Sequence, residues 1–475
     1  MINFSTDKFL ICISIIYLCR KIQFTRKWVK LLSILILLIY FMVSVEELKC
    51  ISSPNACAIS VTVPFYVYDS PQTNWLINCS EHNNLLDQAS DIEHHWHHGD
   101  DVIFARRILN HPWRTRNPKE ADVFIIPTLL GWFSGFDDHS HDEMQNNMTC
   151  NGYSLGQMLD NTADYILGTE SWQIGDNRKP HLVVASTWYM APFGFERVFS
   201  GHPKMRKIIK ESSFGHFEVT GGIGYNKFFD KDLQQPLNYK TAWMTPNWRC
   251  TIVVPYVDWP CKNFNQLDKE LTFDNWKKRK IDYFFVGKLS NKEAYHTRRV
   301  LAGMFEKKFF NNHTFIFTER YAKSRTKFCE WNDCYVKYSC SNCAFTQELG
   351  AKYLEFASES KFALVVHGDS STTSRLYDAI TNGQIPIIVS STIAYHGLPF
   401  MRQVPWLDMA FYVSQTGVED YELARLILKI AESPEYILQH KFDNLIKYRK
   451  DVSWQHPESK VVDHILEDAR DTCRL

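Results

Sequence analysis

The chain has 475 residues, 45% hydrophobic and 22% charged, which is enough for two or three domains and too apolar for wholesale disorder. Lys plus Arg and Asp plus Glu each number 53, so the formal net charge is zero. No basic excess appears outside the N-terminal tail, which argues against nucleic acid as a partner.

Two apolar stretches come first. Residues 9–19 are too short for a bilayer that needs about 20 apolar residues, whereas residues 28–45 reach roughly 27 Å as a helix. Lys8, Arg20, Lys21, Arg26, Lys27 and Lys30 crowd the start of this second stretch, and Glu46 and Glu47 follow it. The positive-inside rule then keeps residues 1–27 in the cytosol as a tail, makes 28–45 a single-pass type II signal-anchor and sends the remainder across the membrane. Cys19-Arg20-Lys21 is a poor cleavage site, so an uncleaved anchor is preferred to a signal peptide.

Sequons at Asn78, Asn147 and Asn312 agree with a lumenal body and are its expected glycosylation sites. Eleven of the thirteen cysteines lie beyond the anchor, where disulfides are allowed. Cys250 and Cys261 are a candidate local pair, and Cys329, Cys334, Cys340 and Cys343 form a bunch whose spacing matches no familiar zinc ribbon.

After a stem at 46–60, short apolar runs bounded by polar turns predict strands at 61–68, 121–127, 181–186, 251–256, 281–286, 314–317, 361–367 and 385–389. Helical spacing marks 102–109 and 296–305 between them, and 421–430 and 436–448 near the end. Strand and helix in alternation imply parallel sheets covered on both faces. The polar stretch 265–280, ending Lys277-Lys-Arg-Lys280, reads as a hinge. It divides a first domain at 61–270 from a second at 271–416, and helices fill 417–475.

The stretch 360–390 carries the most chemistry. A buried strand at 361–367 runs into Gly368, Asp369, Ser370, Ser371, Thr372 and Thr373, then into a helix predicted from Ser374 to Thr381. Strand, small-residue loop and helix start form an anion site, with Ser370 and Ser374 as hydroxyl donors. Arg375 could neutralise a diphosphate, and Asp378, three residues on and on the same face, could accept ribose hydroxyls. The plainer alternative is a capping Asp followed by a surface ion pair.

This stretch resembles the donor-binding segment of the exostosin glycosyltransferases, with the pattern S-K-F-C-L-x-P-x-G-D-x-x-x-S-x-R-L-x-D/E-A-I-x-x-G-C-I-P-V-I-V-S. Residues 109–127, 251–256, 281–288, 398–400 and 405–408 are similar to further segments of that family, in order. The resemblance implies an α/β, GT-B-like fold with two Rossmann-like domains facing a cleft, in a Golgi or ER membrane enzyme. It further implies an inverting transferase that moves a sugar from a UDP-sugar onto a glycan or polysaccharide acceptor, without an essential cofactor or metal. The donor-binding residues it implies are Gly368, Asp369, Ser370, Ser374, Arg375 and Asp378.

Inversion needs a base opposite the leaving diphosphate. Glu93, His95 and Asp101, in the acidic and His-rich run 91–101, are the catalytic candidates. The chain departs from the family where Ala363 and Gln384 replace two cysteines, and where residues 181–188 lack the Asp of H-F-x-x-x-S-H-D. These departures motivate an alternative, a non-catalytic membrane glycoprotein that assists an active partner transferase. Pairing with itself or with a related transferase is left open by the sequence.

Overall fold

Two parallel sheets organise the computed structural model. The structure describes residues 62–69, 100–127, 149–150, 153–175, 179–185, 201–216, 250–258, 264–289, 295–306, 313–319, 353, 355–368, 372–390, 393, 397–413 and 420–473. Val63–Leu475 forms one compact unit. The expected anchor at 28–45 and the asparagines of the three sequons lie outside the described residues. Among the described residues no helix is long and apolar enough to cross a membrane.

The first sheet contains β1 (Phe65–Val67), β2 (Arg114–Thr115) and β3 (Val123–Ile125). A small antiparallel hairpin, β4 (Thr149–Cys150) and β5 (Tyr153–Ser154), lies apart from it. The sheet continues with β6 (His181–Val184), β7 (Ser213–His216) and β8 (Cys250–Val253), in the order β2-β1-β3-β6-β7-β8. The second sheet comprises β9 (Ile281–Leu289), β10 (His313–Glu319), β11 (Ser360–Val366), β12 (Ile385–Val389) and β13 (Phe411–Val413), ordered β10-β9-β11-β12-β13.

Each strand predicted from an apolar run is present. Burial on both faces explains why β11 and β12 are nearly continuous in Val, Leu and Ile. One face of the second sheet packs Tyr283, Phe285, Phe362, Leu364, Ile385 and Ile387 against Leu301, Leu423 and Ile427. The other face turns Val365 and Ile388 into a larger core shared with Phe65, Val123, Ile252 and Val254 of the first sheet region. The two sheets are therefore joined by apolar packing as well as by the chain.

The stretch read as a hinge is mostly helical. Phe264–Glu270 and Phe273–Lys277 are helices, the second capped by the Thr272 hydroxyl, which accepts from Asn275 N. Phe273 and Trp276 are buried on the second sheet, and Trp276 Nε1 donates to Lys361 O at 2.9 Å. Arg279 donates to Ser360 O, Gly383 O and Asn382 O at 2.7, 3.1 and 2.9 Å, fixing the start of β11 and the end of the following helix. Charged residues were the signal for a hinge, yet their apolar neighbours decide the packing.

One correction concerns the cysteines. Cys250 is bonded to Cys473, 223 residues away, and not to Cys261. The helix Val461–Thr472 explains this pairing, because it lays Val461, Val462, Ile465 and Ala469 into the same core as Ile252 and Val254 beside β8. Trp454 precedes it, fully buried, with Nε1 donating to Pro255 O at 2.7 Å.

Candidate functional site

In the second sheet the chain leaves β9 outward to β10, and then returns on the other side of β9 to lay down β11, β12 and β13. The gap between β9 and β11 is thus the topological switch point, where open α/β sheets take their ligands at the carboxyl ends of the strands. Arg298, from the first turn of the helix His296–Glu306, occupies that place. Its Nη2 donates to Val366 O and its Nε to His367 O, both at 3.0 Å, and Cζ lies 5.0 Å from the Tyr295 ring centre. A Cβ on Gly368 would stand 2.8 Å from Arg298 Nη2, and one on Gly287 of β9 would stand 3.2 Å from Nη1. At Gly368 the guanidinium itself leaves no room for a side chain, whereas at Gly287 the Phe285 ring, 2.6 Å from such a Cβ, is the first obstacle and the guanidinium the second.

His367 follows β11 directly. Its Nδ1 is enclosed and, among the described residues, has no hydrogen-bond partner. Burial, and then the Arg298 charge, push its pKa down to about 4, so the imidazole is neutral at pH 7.

Beyond the loop stands the Arg375–Asp378 pair. The helix runs Arg375–Thr381, starting one residue later than predicted; Ser374 is its cap but makes no side-chain capping bond. Arg375 Nη1 and Tyr353 Oη both donate to Asp378 Oδ2 at 2.9 Å, and Arg375 Cζ lies 4.9 Å from the Tyr353 ring centre. Tyr353 packs on Phe284 of β9. Burial, then the adjacent carboxylate, push the Tyr353 phenol up, so it remains a donor.

The shared helical face expected of Arg375 and Asp378 is therefore seen, but the carboxylate is enclosed, with its side chain 1% exposed. This placement gives Asp378 the role of orienting Arg375. The surface ion pair of the plainer reading is set aside, because Asp378 is buried.

Of the other predicted site residues, Gly368 and Ser374 are buried in this same strand–loop–helix. Asp369 and Ser370 lie outside the described residues, as do Glu93 and His95. Asp101 is in the first turn of the helix Asp100–Leu109 and 1% exposed. Arg298, Gly287 and Tyr353 were not singled out from sequence. The rule applied to β11, a glycine at a strand end followed by an arginine opening a helix, finds Gly287 and Arg298 when applied to β9. Among the described residues no group of three or more His, Cys, Asp or Glu is arranged to hold a metal.

Residues 60–428 match the family model of the Exostosin GT47 domain. The chain belongs to the exostosin GT47 family. That family is one of glycosyltransferases, and the matched span covers both sheets. No curated protein matches this exostosin GT47 chain in sequence. Among solved structures it is similar to UGT89C1 of Arabidopsis thaliana complexed with UDP, at 12% identity and TM-score 0.27, covering 67% of this chain and 78% of that one. It is also similar to an alpha,alpha-trehalose-phosphate synthase (UDP-forming) of Burkholderia vietnamiensis, at 11% identity and TM-score 0.33, covering 66% and 69%. A third is MnaA of S. aureus with UDP, at 8% identity and TM-score 0.31, covering 86% and 96%. Likeness at this level places no individual residue of the exostosin GT47 site.

Proposed function

We propose that this exostosin GT47 protein transfers one sugar from a UDP-sugar to a glycan or polysaccharide, with inversion at the anomeric carbon. The observation that carries the reading is the cationic switch point: Arg298 bonded to the end of β11 and lying beside Gly287 of β9, with Arg375 on the helix that follows β11. Two guanidiniums beside a glycine-lined strand edge suit a diphosphate, whose negative charge grows as the glycosidic bond to the donor breaks.

Arg298 supplies charge and fixes the backbone of the loop; Asp378 and Tyr353 hold Arg375 in place. Inversion further requires a base on the acceptor side to take the hydroxyl proton, and Glu93, His95 and Asp101 are the groups proposed for it. The protein is proposed to work in the Golgi or ER lumen as a type II membrane protein anchored by residues 28–45. The long-range disulfide Cys250–Cys473 supports an oxidising compartment.

The test is a thermal-shift and calorimetric titration of the full chain in detergent with UDP, GDP and a set of UDP-sugars. UDP should stabilise the protein, and Arg298→Ala and Arg375→Ala should each abolish the response. A protein indifferent to every nucleotide ends the reading. One that binds UDP yet yields no product with any glycan acceptor supports the assisting role instead.

A further inference from the structure

The unpaired nitrogen of His367 stands out in this neighbourhood. Buried polar atoms in folded proteins nearly always have a partner, and each one without calls for an explanation. His367 Nδ1 has none among the described residues, although its own carbonyl is held by Arg298 Nε at 3.0 Å and the residue itself keeps some exposure to solvent. The nitrogen lies at the switch point, at the carboxyl end of β11, immediately before the glycine that packs on the Arg298 guanidinium.

We propose that His367 is a ligand of the donor's diphosphate: its imidazole, beside Arg298, donates an Nδ1–H hydrogen bond to a phosphate oxygen. This rests on the nucleotide-sugar reading above and deepens it. Three features favour a phosphate. Phosphate oxygens only accept, and a neutral imidazole offers one N–H donor without adding a second full charge beside Arg298. The switch point is where open α/β sheets receive phosphates. The neighbouring guanidinium gives the place the sign an anion needs. A sugar hydroxyl is the competing partner for the same nitrogen, and the experiment separates the two.

Calorimetric titrations of the full chain would use UDP, a UDP-sugar, uridine and inorganic pyrophosphate, against the unmutated protein and His367→Phe, His367→Asn and His367→Gln. The Phe variant should lose about ten-fold or more in affinity for both UDP and pyrophosphate while uridine binding is unchanged. Asn places an amide where Nδ1 stood and should recover most of the affinity; Gln reaches toward the Nε2 position and should not. Without ligand, the Phe variant should melt no lower than the parent, because it removes a buried polar atom that has no partner to lose.

A Phe variant that binds UDP as the parent does overturns the proposal. So does a loss confined to the UDP-sugar, which would assign the nitrogen to a hydroxyl, or an Asn variant no better than Gln. A clear fall in Tm for both the Phe and Asn variants marks a structural histidine and also overturns it. Should the unmutated protein bind neither UDP nor pyrophosphate, the function proposed above falls first and takes this inference with it; that result is distinct from a parent that binds and a variant that does not care.

Discussion

At the scale of single residues, Asp378 decides how the helix Arg375–Thr381 presents its arginine. It is a buried carboxylate that accepts from a cation and a phenol, and removing it takes an ion-pair partner from a poorly solvated guanidinium. Asp378→Ala should therefore cost about 3–5 kcal/mol of stability. Tyr353→Phe, which removes one hydrogen bond to the carboxylate, should cost about 1–3 kcal/mol. Urea denaturation of the two variants and the double variant measures both, and the double should cost less than the sum because the groups share one oxygen. The pairing of Arg375 with Asp378 was legible in sequence because three residues along a helix is a fixed geometry. Tyr353 and Arg298 were not, since they come from separate elements and only tertiary packing delivers them to β9 and β11.

At the scale of elements, long apolar runs told the truth and short ones were silent. The eight strands foreseen each contain several adjacent β-branched or aromatic residues. By contrast β7 reads Ser-Phe-Gly-His and β13 only Phe-Tyr-Val, too little pattern to rise above a loop. The helix Val461–Thr472 is docked by a polar clamp that no periodicity reveals. His464 Nε2 pairs with Asp451 at 2.8 Å and Nδ1 with Glu467 at 3.2 Å, with the Phe400 ring 5.2 Å away.

Burial alone would pull the His464 pKa down, but the two carboxylates outweigh it and take it up to about 9, from 6.5. The folded state thus holds this proton more tightly than the unfolded chain does. Its contribution, about 3 kcal/mol, is fully present below pH 6.5 and is lost as pH rises towards 9. Denaturation at pH 6, 7.5 and 9 should show that decline, and His464→Gln should be less stable at pH 6 and lack this component of the slope.

At the scale of the whole molecule, the two sheets meet on a buried carboxylate. Asp258 receives hydrogen bonds from Thr381 Oγ1 at 2.8 Å, Ser453 Oγ at 2.5 Å and Gln455 N at 3.2 Å. It thereby ties the segment after β8 to the end of the helix Arg375–Thr381 and to the turn before the last helix. Burial raises its pKa to about 6 against those bonds, from 3.8. Here the folded state holds the extra proton between these values, so stability falls by about 3 kcal/mol as pH rises from 3.8 to 6. Asp258→Asn, followed by denaturation across pH 4–7, should remove that fall.

The Cys250–Cys473 bond acts on the same scale. Closing so long a loop is worth about 5 kcal/mol in the chain-entropy picture, so Cys473→Ser should lower the urea midpoint under oxidising conditions and change nothing in reductant. Sheet type was readable from the alternation of strand and helix. The partner of Cys250 was not, because it depends on where the last helix comes to rest.

That resting place has a bearing on biosynthesis. The outermost strand of the first sheet is covered by residues near the carboxyl terminus, so the earliest half of the polypeptide cannot seal its own interior as it leaves the ribosome. At elongation rates of about 5–20 residues per second, some 10–40 s pass before the covering helix arrives. During that interval Ile252 and Val254 lack their cover and Cys250 lacks its partner thiol. Chaperones and oxidoreductases therefore have a defined window in which to guard this edge, and a chain ending before residue 453 would keep it open.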